Sequence, residues 1–428
     1  MNTVTRTPPT APAAGTAFTT ADADYELLAA RFRPLFAEIA EGASRRELDH
    51  ELPRREIRSL IDAGFGALRV PVADGGFGAS LPQLFRLLTE LAAADSNLPQ
   101  ALRAHFAFVE DRLVAGGPQR DVWLKRFVDG ETVGNSWTEV GGVTIGDVRT
   151  KVSPDPERND GGFRISGTKY YSTGSIFADW IDTFAQRTDN GVKVIAVVST
   201  HQPGVTHADD WDGFGQRTTG SGTSTFDGAR VDAENVIDFD TRFKYQTAFY
   251  QAVLLAVLAG TITAAERDVA REVRNRTRIF SHGNASSFAA DPQILQVVGE
   301  VSAAAYAADA TVERAARALQ NAYEGAFLGD DVEDERRNDA AELETAKAQV
   351  ILSALATRAT SDVFDALAAS GVSSAKNLDR HWRNARTAAN HNPWVFKARI
   401  VGDNAVNGTV PPRIWSIGSA PKDAPAMS

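Results

Sequence analysis

Cysteine is absent from the 428-residue sequence, which excludes disulfides, a thiolate nucleophile and Cys-ligated metals or iron–sulfur clusters. Methionine is nearly absent as well, since Met1 and Met427 are the only two. Two interpretations of this low sulfur content stay open. The compositional bias of an Ala- and Arg-rich genome produces it by chance, or the protein is made when sulfur is scarce and contains little sulfur for that reason.

Positive charge is in deficit. Lys and Arg number 45 against 55 Asp and Glu, which gives a net charge of −10 with no basic block. This balance argues against nucleic acid and against anionic membranes as partners. The longest apolar run, residues 252–265, is shorter than the roughly 20 residues that span a bilayer and predicts a buried helix. Residues 1–20 lack the apolar core of a secretory signal and predict a disordered leader, so the expected location is the cytoplasm.

Three regions follow one another along the chain. Residues 21–130 show helical periodicity and predict an N-terminal helical domain. Residues 131–240 contain glycine turns and short β-forming runs, and they predict a small antiparallel β domain. Residues 241–428 predict a four-helix-bundle domain and a tail, with the acidic stretch 324–337 as an exposed loop between helices. Because helices flank the strands instead of alternating with them, the fold class is α+β.

Four segments resemble the acyl-CoA dehydrogenase family, and they occur in the family's order. They comprise a helix followed by a Val-Pro turn and a Gly-Gly-x-Gly loop, two β segments, and a late Arg-rich helix, at 52–80, 135–139, 167–180 and 378–386. The resemblance implies an N-terminal helical domain, a central β domain that faces a flavin, and a C-terminal helical bundle.

The resemblance also shows where this sequence departs from a dehydrogenase. Acyl-CoA dehydrogenases need a carboxylate base to remove a proton alpha to a thioester carbonyl. In the family this base lies just after the Arg-rich helix or on the first helix of the C-terminal bundle. Here residues 388–393 read Ala-Ala-Asn-His-Asn-Pro, and residues 244–265 contain no Asp or Glu. Acyl-CoA dehydrogenase-like oxidation is therefore disfavoured and stays open only as a second alternative.

A histidine, His391, stands in the first of these positions. The stretches 380–387 and 391–393 resemble the two-component flavin-dependent monooxygenase branch of the fold, as do 102–110 and 211–222. That branch includes dibenzothiophene, alkylsulfone and methanesulfinate monooxygenases. The resemblance implies reduced FMN, supplied by a separate NAD(P)H:flavin reductase, which reacts with O2. The resulting C4a-(hydro)peroxyflavin oxygenates the substrate.

The resemblance assigns roles to individual residues. His391, assisted by His105, is expected to control the proton of the distal oxygen, because histidine titrates near neutral pH. Ser172 and Asn135 are expected to hydrogen-bond the flavin edge or that oxygen. Further predicted flavin contacts are Trp137, Thr138, Tyr171, Thr173, Arg276, Arg278, Ser370 and Gly371. Predicted substrate contacts are His105, Phe108, Trp211 and His391, and no metal ligands are predicted.

The residues expected at the flavin tail bear on whether the cofactor is FMN or FAD. Arg276 and Arg278 are the expected cationic donors to its phosphate. The family's paired glycines are not intact at Ser370-Gly371, which favours FMN over FAD. In the family this turn approaches the flavin from a neighbouring subunit, and a homotetramer is expected. No G-x-G-x-x-G fingerprint occurs, so the NAD(P)H is expected to bind the partner reductase.

Two functions within this fold remain in competition. The first is a monooxygenase of a small organosulfur compound (an alkylsulfinate, a sulfone or a sulfide) that serves sulfur acquisition, in keeping with the low sulfur content. The alternative is a flavin-dependent N-hydroxylase or nitroso-forming enzyme that acts on amines. The sequence alone does not choose the substrate.

Overall fold

A computed structural model describes residues 22–140, 147–158 and 160–413 of the chain. Within these residues helices come first and last, and strands lie between them. The predicted disordered leader and Met427 lie outside the described residues.

The N-terminal region consists of helices. They are α1 (Asp22–Asp49), α2 (Arg54–Asp62), α3 (Leu81–Ala94), α4 (Asn97–Ala101), α5 (Arg103–Ala115) and α6 (Gly117–Val128). Local sequence explains where α3 begins: the Ser80 hydroxyl accepts from the Gln83 N–H at 3.3 Å, and the Gln83 side chain accepts from the Ser80 N–H at 2.9 Å. This reciprocal cap satisfies two backbone donors at the start of the helix.

The middle region is a curled sheet. Its strands are β1 (Val133–Ser136), β2 (Lys151–Pro154), β3 (Phe163–Lys169), β4 (Trp180–Arg187), β5 (Lys193–Ser199), β6 (Val205–His207), β7 (Ser224–Val231) and β8 (Val236–Asp238). The order is β6-β7-β3-β2-β4-β5-β8, and β1 pairs with β4. The sheet differs from the expected antiparallel arrangement in that β4 runs parallel to β1 and β2. Alternation and turn signals identify strands and hairpins, but they carry no information on the direction of partners distant in sequence.

The C-terminal region consists of long helices. They are α7 (Gln246–Asn275), α8 (Pro292–Gly325), α9 (Asp331–Asp362), α10 (Asp379–Ala389) and α11 (Val395–Asn407). The predicted buried helix at 252–265 is confirmed as part of α7, whose most apolar window is 89% buried inside the protein. The core packing of this helix accounts for its apolar composition.

The predicted loop at 324–337 is wrong in its second half, because α9 already begins at Asp331. The Asp330 side chain accepts hydrogen bonds from two backbone N–H groups of the first turn, at 3.0 and 3.1 Å. Acidic side chains in that turn also interact favourably with the positive end of the helix dipole. The charges that suggested a solvated loop therefore stabilise a helix N-terminus.

The three regions share their cores. One apolar core joins the N-terminal helices to α7, α8, α9 and α10, and a smaller one joins α5 and α6 to β1 and β5. A third core lies within the sheet. Helix α5 contacts both β1 and α7. All three regions consequently meet at α5.

Candidate active site

His391 follows the end of α10 and contacts the first residue of α5. Its Nε2 lies 3.0 Å from Nη2 of Arg103. A guanidinium only donates hydrogen bonds, so Nε2 accepts and the proton of the neutral ring is on Nδ1. The contact therefore fixes which tautomer of His391 is present.

The surroundings of His391 change its acid–base behaviour. Burial, together with the positive charge of Arg103, lowers the pKa of His391 to about 3. The residue is nevertheless exposed to solvent. The expectation that His391 titrates near neutral pH is thus corrected for this state of the protein, in which the imidazole is neutral at pH 7.

Arg103 is a residue that sequence reasoning missed, although it lies in the quoted segment 102–110. It is 5% exposed, and its Nε has no hydrogen-bond partner among the described residues. Its guanidinium carbon lies 5.2 Å from the centroid of the Tyr250 ring. The Tyr250 hydroxyl is likewise buried without a partner. Burial lowers the pKa of Arg103 to about 10 and raises the pKa of Tyr250.

His105 and Phe108 lie in the core. The His105 Nε2–H donates to the Gly66 carbonyl at 2.8 Å, and Phe108 packs against Trp123 with ring centroids 4.8 Å apart. Residues two positions apart on a helix point about 200° apart, so His105 faces away from the side of α5 that carries Arg103. The structure brings Arg103, and not His105, to His391. The roles of His105 and Phe108 toward substrate stay predictions.

The two β segments expected to face the flavin come together. The hydroxyls of Ser136 and Ser172 are 3.0 Å apart, and the Tyr170 N–H donates to the Thr138 carbonyl at 2.9 Å. The side-chain Oδ1 of Asn135 is buried and has no partner among the described residues. A buried acceptor without a partner costs free energy, which is expected where a ligand supplies the missing donor.

Tyr171 adopts a strained backbone conformation beside these segments. Its φ is +57°, a left-handed conformation that bulky residues rarely adopt, and its side chain is 53% exposed. Its ring meets Trp211 edge-on, with centroids 5.8 Å apart. The Thr173 hydroxyl lies 2.8 Å from that of Ser221, which belongs to the loop that carries Trp211. Strain of this kind is concentrated at functional sites.

Trp137 links the β segments to the Arg103 side of the site. Its ring centroid lies 5.5 Å from that of Tyr250, and its indole N–H donates to Asp182 at 2.7 Å. Asp182 also accepts from Arg242 at 2.8 Å. The carboxylate nearest to Trp137 is thus held in an ion pair. Between Gln246 and residue 265, the described part of α7 carries no carboxylate either.

The predicted tail residues meet at the far end of α7. Arg276 donates to the Leu367 carbonyl at 2.7 Å and to the Ser370 hydroxyl at 2.9 Å, whereas Arg278 is exposed. With a rise of 1.5 Å per residue, α7 separates Tyr250 from Arg276 by about 40 Å. This length greatly exceeds that of one flavin mononucleotide. Arg276 and Trp137 of the same chain therefore cannot contact the same flavin.

A recess elsewhere on the sheet does not involve the predicted site. It measures about 570 Å³ and lies among Trp180, Gln202 and Asn235, and none of the predicted site residues lines it. Among the described residues, no group of three or more His, Cys, Asp or Glu side chains is placed to hold a metal ion.

Two family models match the chain. Residues 23–131 match the acyl-CoA dehydrogenase N-terminal domain, and residues 252–395 match the acyl-CoA dehydrogenase C-terminal domain. Together they cover more than half of the sequence.

Known proteins with similar sequences include two monooxygenases. Dibenzothiophene monooxygenase of Rhodococcus erythropolis is 28% identical over 374 residues, which cover 83% of this chain and 87% of the relative. The probable FMNH2-dependent monooxygenase SfnC of Pseudomonas putida is 27% identical over 388 residues, 89% of this chain and 94% of the relative.

Solved structures with this fold include FMN-bound TdsC from Paenibacillus sp. A11-2. Its TM-score is 0.82 at 25% identity, and the match covers 92% of this chain and 99% of that chain. Methanesulfinate monooxygenase MsuC from Pseudomonas fluorescens has a TM-score of 0.80 at 26% identity, over 90% and 98% of the two chains. A nitrososynthase from Micromonospora carbonacea var. africana, at 22% identity and a TM-score of 0.73 over 90% and 96% of the two chains, shares the fold.

Proposed function

The chain belongs to the acyl-CoA dehydrogenase family, and we propose that it is an FMNH2-dependent monooxygenase of a small organosulfur compound. The observation that carries this proposal is the pair of Arg103 and His391 in the place where a dehydrogenase needs a free carboxylate. A neutral imidazole beside a guanidinium is a poor base for removing a proton alpha to a thioester. The names of the relatives, which are organosulfur and FMNH2-dependent monooxygenases, support the same choice.

The residues of the β segments fit FMN. The Oδ1 of Asn135, which has no partner among the described residues, is an acceptor for a ring N–H of the isoalloxazine, and the Ser172 hydroxyl contacts that of Ser136, the next residue of the same strand. Trp137, Tyr171 and the backbone at Thr138 and Thr173 complete the predicted ring contacts. Reduced FMN, when bound here, would supply the two electrons with which O2 transfers one oxygen atom to the substrate.

Residues of the chain exclude water from the proposed flavin site and control a proton there. Trp137 and Tyr250 pack edge to face and are assigned the exclusion of water, which limits the release of hydrogen peroxide. His391 carries its proton on Nδ1, because Arg103 occupies Nε2, and the Asn392 side chain is a further hydrogen-bond partner of this ring. We assign to His391 the control of the proton at the reacting oxygen.

The tail of the flavin needs a second copy of the chain. Arg276 with Ser370, and Arg278 next to them, form the cationic end expected for a phosphate. Since about 40 Å of α7 separates them from the ring contacts of their own chain, we infer that they serve a neighbouring subunit of a homotetramer. A separate NAD(P)H:flavin reductase in the cytoplasm supplies the reduced FMN.

An N-hydroxylase of amines is the weaker candidate. The uncompensated guanidinium of Arg103 repels an ammonium group, and binding such a substrate beside it requires loss of its proton first. The likeness to the nitrososynthase, at 22% identity, concerns the fold alone.

The test of the proposed function couples the purified protein to an NAD(P)H:FMN reductase under ¹⁸O2. Alkylsulfinates, sulfones, sulfides and amines are offered in turn, and products and hydrogen peroxide are quantified. One ¹⁸O atom is expected in an oxidised sulfur product. Hydrogen peroxide as the sole product with all substrates, together with reduction of bound flavin by an acyl-CoA, contradicts the proposal.

A further inference from the structure

We propose that Arg103 and the Tyr250 hydroxyl bind the oxyanion of an organic sulfinate, so that the substrate is an anion and not a neutral sulfide or sulfone. This inference rests on the proposed monooxygenase function and names the substrate class of the same site. It assigns Arg103 as the residue that determines specificity.

Arg103 differs from every other buried arginine of the described residues. Each of the others forms an ion pair with an acid, in the pairs Arg46–Asp95, Arg69–Glu110, Arg112–Asp111 and Arg242–Asp182. Among the residues that the structure describes, Arg103 has a histidine and an aromatic ring as neighbours and no carboxylate. A buried charge without a partner is costly, and an anionic ligand removes that cost.

The unused donors match an oxyanion. One Nη of Arg103 is engaged with His391, which leaves its Nε without a partner. The Tyr250 hydroxyl is also free and, with its pKa raised, stays protonated. A planar guanidinium fork and a phenol suit two oxygens that share one negative charge. A sulfide offers no such oxygens, and a sulfone offers oxygens without net charge.

The contact with His391 places this anion site on the substrate side of the flavin. The resemblance gives His391 the sequence position of the family's base, whereas the predicted phosphate donors lie at the opposite end of α7 from Tyr250. The reaction is R–SO2⁻ + O2 + FMNH2 → R–SO3⁻ + FMN + H2O. The sulfur lone pair forms the new S–O bond and sulfur loses two electrons. The O–O bond breaks, and the second oxygen leaves as water with both hydrogens of FMNH2.

The activity test compares two substrates of nearly equal shape, methanesulfinate and uncharged dimethyl sulfoxide. The wild-type kcat/KM is expected to favour methanesulfinate by about 100-fold, the usual range for a charge-assisted contact. Arg103→Gln is expected to lose this preference, because kcat/KM for methanesulfinate falls by a much larger factor than kcat/KM for dimethyl sulfoxide. Arg399→Gln, which changes an exposed arginine on α11, is the matched control and should leave both values intact.

A binding test does not depend on turnover. Methanesulfonate and its uncharged counterpart dimethyl sulfone are titrated calorimetrically into the full-length protein without flavin, and FMN is titrated separately. Arg103→Gln should weaken methanesulfonate binding at least 10-fold and leave the Kd of FMN unchanged. Where Arg103→Gln lowers the melting temperature, Tyr250→Phe replaces it, because it removes a single unpartnered hydroxyl and is expected to weaken methanesulfonate binding about 5-fold.

Three results overturn the inference. They are equal loss of both substrates in Arg103→Gln, loss of FMN binding in the same variant, and a wild-type preference for the neutral compounds. If no sulfur compound is oxidised but methanesulfonate binding still depends on Arg103, the proposed reaction fails while the anion site stands.

Discussion

His391 and Arg103 act as one unit at the scale of single residues. Arg103 fixes the tautomer of His391, and burial together with the charge of Arg103 lowers the pKa of His391 to about 3, so the imidazole acts as a hydrogen-bond donor at neutral pH. An anion beside Arg103 would cancel part of the charge that holds this pKa down. Substrate binding and proton availability are thereby linked through a single guanidinium.

His391→Ala is expected to lower product formation by roughly 10²-fold or more, because a positioned proton-transfer group contributes about that much. The Kd of FMN should change by less than about twofold, since the predicted flavin contacts lie on the β segments. Coupled product assays and flavin titration measure the two quantities, with the exposed His282→Ala as control. Lost FMN binding with wild-type turnover at saturating FMN would mean that His391 is a structural ligand.

Tyr171→Gly is expected to weaken the binding of FMN while the free energy of unfolding changes little. The substitution relieves a left-handed backbone at φ +57°, worth about 1 kcal/mol, and this gain offsets the lost ring contact with Trp211. The free energy of unfolding should therefore change by less than about 1 kcal/mol, while the affinity for FMN falls. Tyr171→Phe keeps the ring and should retain FMN binding. An unaltered Kd in Tyr171→Gly would remove Tyr171 from the flavin site.

His105 is expected to make stability depend on pH. Burial lowers the pKa of its imidazole to about 4, against about 6.5 in the unfolded chain. Below pH 6.5 the unfolded state binds one more proton, so stability is present above this pH and is lost as the pH falls toward 4, by up to about 3 kcal/mol. Chemical denaturation at pH 7, 6 and 5 measures the loss. His105→Phe should reduce the slope without abolishing it, because the pKa values of His381 and His391 are lowered as well, and an unchanged slope would refute the assignment.

At the scale of elements, a glycine allows the β domain to pack closely against helix α4. Gly174 has φ +78°, and a Cβ atom there would overlap the Ala101 carbonyl oxygen at the end of α4. Gly174→Ala is expected to destabilise the protein by about 3 kcal/mol, from left-handed strain plus overlap. Gly191→Ala, at φ +74° with no atom near the added methyl, should cost about 1 kcal/mol. Equal losses in the two variants would show that the contact with α4 carries no energy.

Sequence patterns predicted most elements but not all of their relations. Helical periodicity found the helices, and the buried run at 252–265 was assigned correctly. The first turn of α9 was misread because acidic residues suit both a solvated loop and a capped helix start. The parallel pairing of β4 with β1 and β2 depends on contacts distant in sequence, which local patterns do not encode.

The candidate site shows the same division. Family motifs led to the fold and to Ser172, Asn135 and His391, whose contribution to catalysis stays a prediction. The sequence alone gave no sign of the role of Arg103, because an arginine two residues from a histidine is common in helices. What distinguishes Arg103 is that no carboxylate pairs with it among the described residues. This difference is seen only by comparison with the ion pairs of the other buried arginines.

At the scale of the whole molecule, the tail residues are expected to act in a neighbouring subunit. Mixed assemblies of His391→Ala and Arg276→Ala subunits test this directly, since each variant alone should be nearly inactive. Refolding the two together places the intact His391 of one chain beside the intact Arg276 of another and should restore part of the activity. Absence of any recovery in mixed assemblies that are shown to form would place both residues in one site of a single chain.

The length of α7 links the assembly of the proposed homotetramer to the concentration of FMN in the cell. The predicted ring contacts and phosphate contacts of one chain lie about 40 Å apart along α7. If FMN takes its ring contacts from one subunit and its phosphate contacts from the next, as proposed, it joins the two subunits. Free FMN then favours assembly by mass action, and dilution favours release. The abundance of flavin, and not the amount of this protein alone, would decide how many complete catalytic units exist.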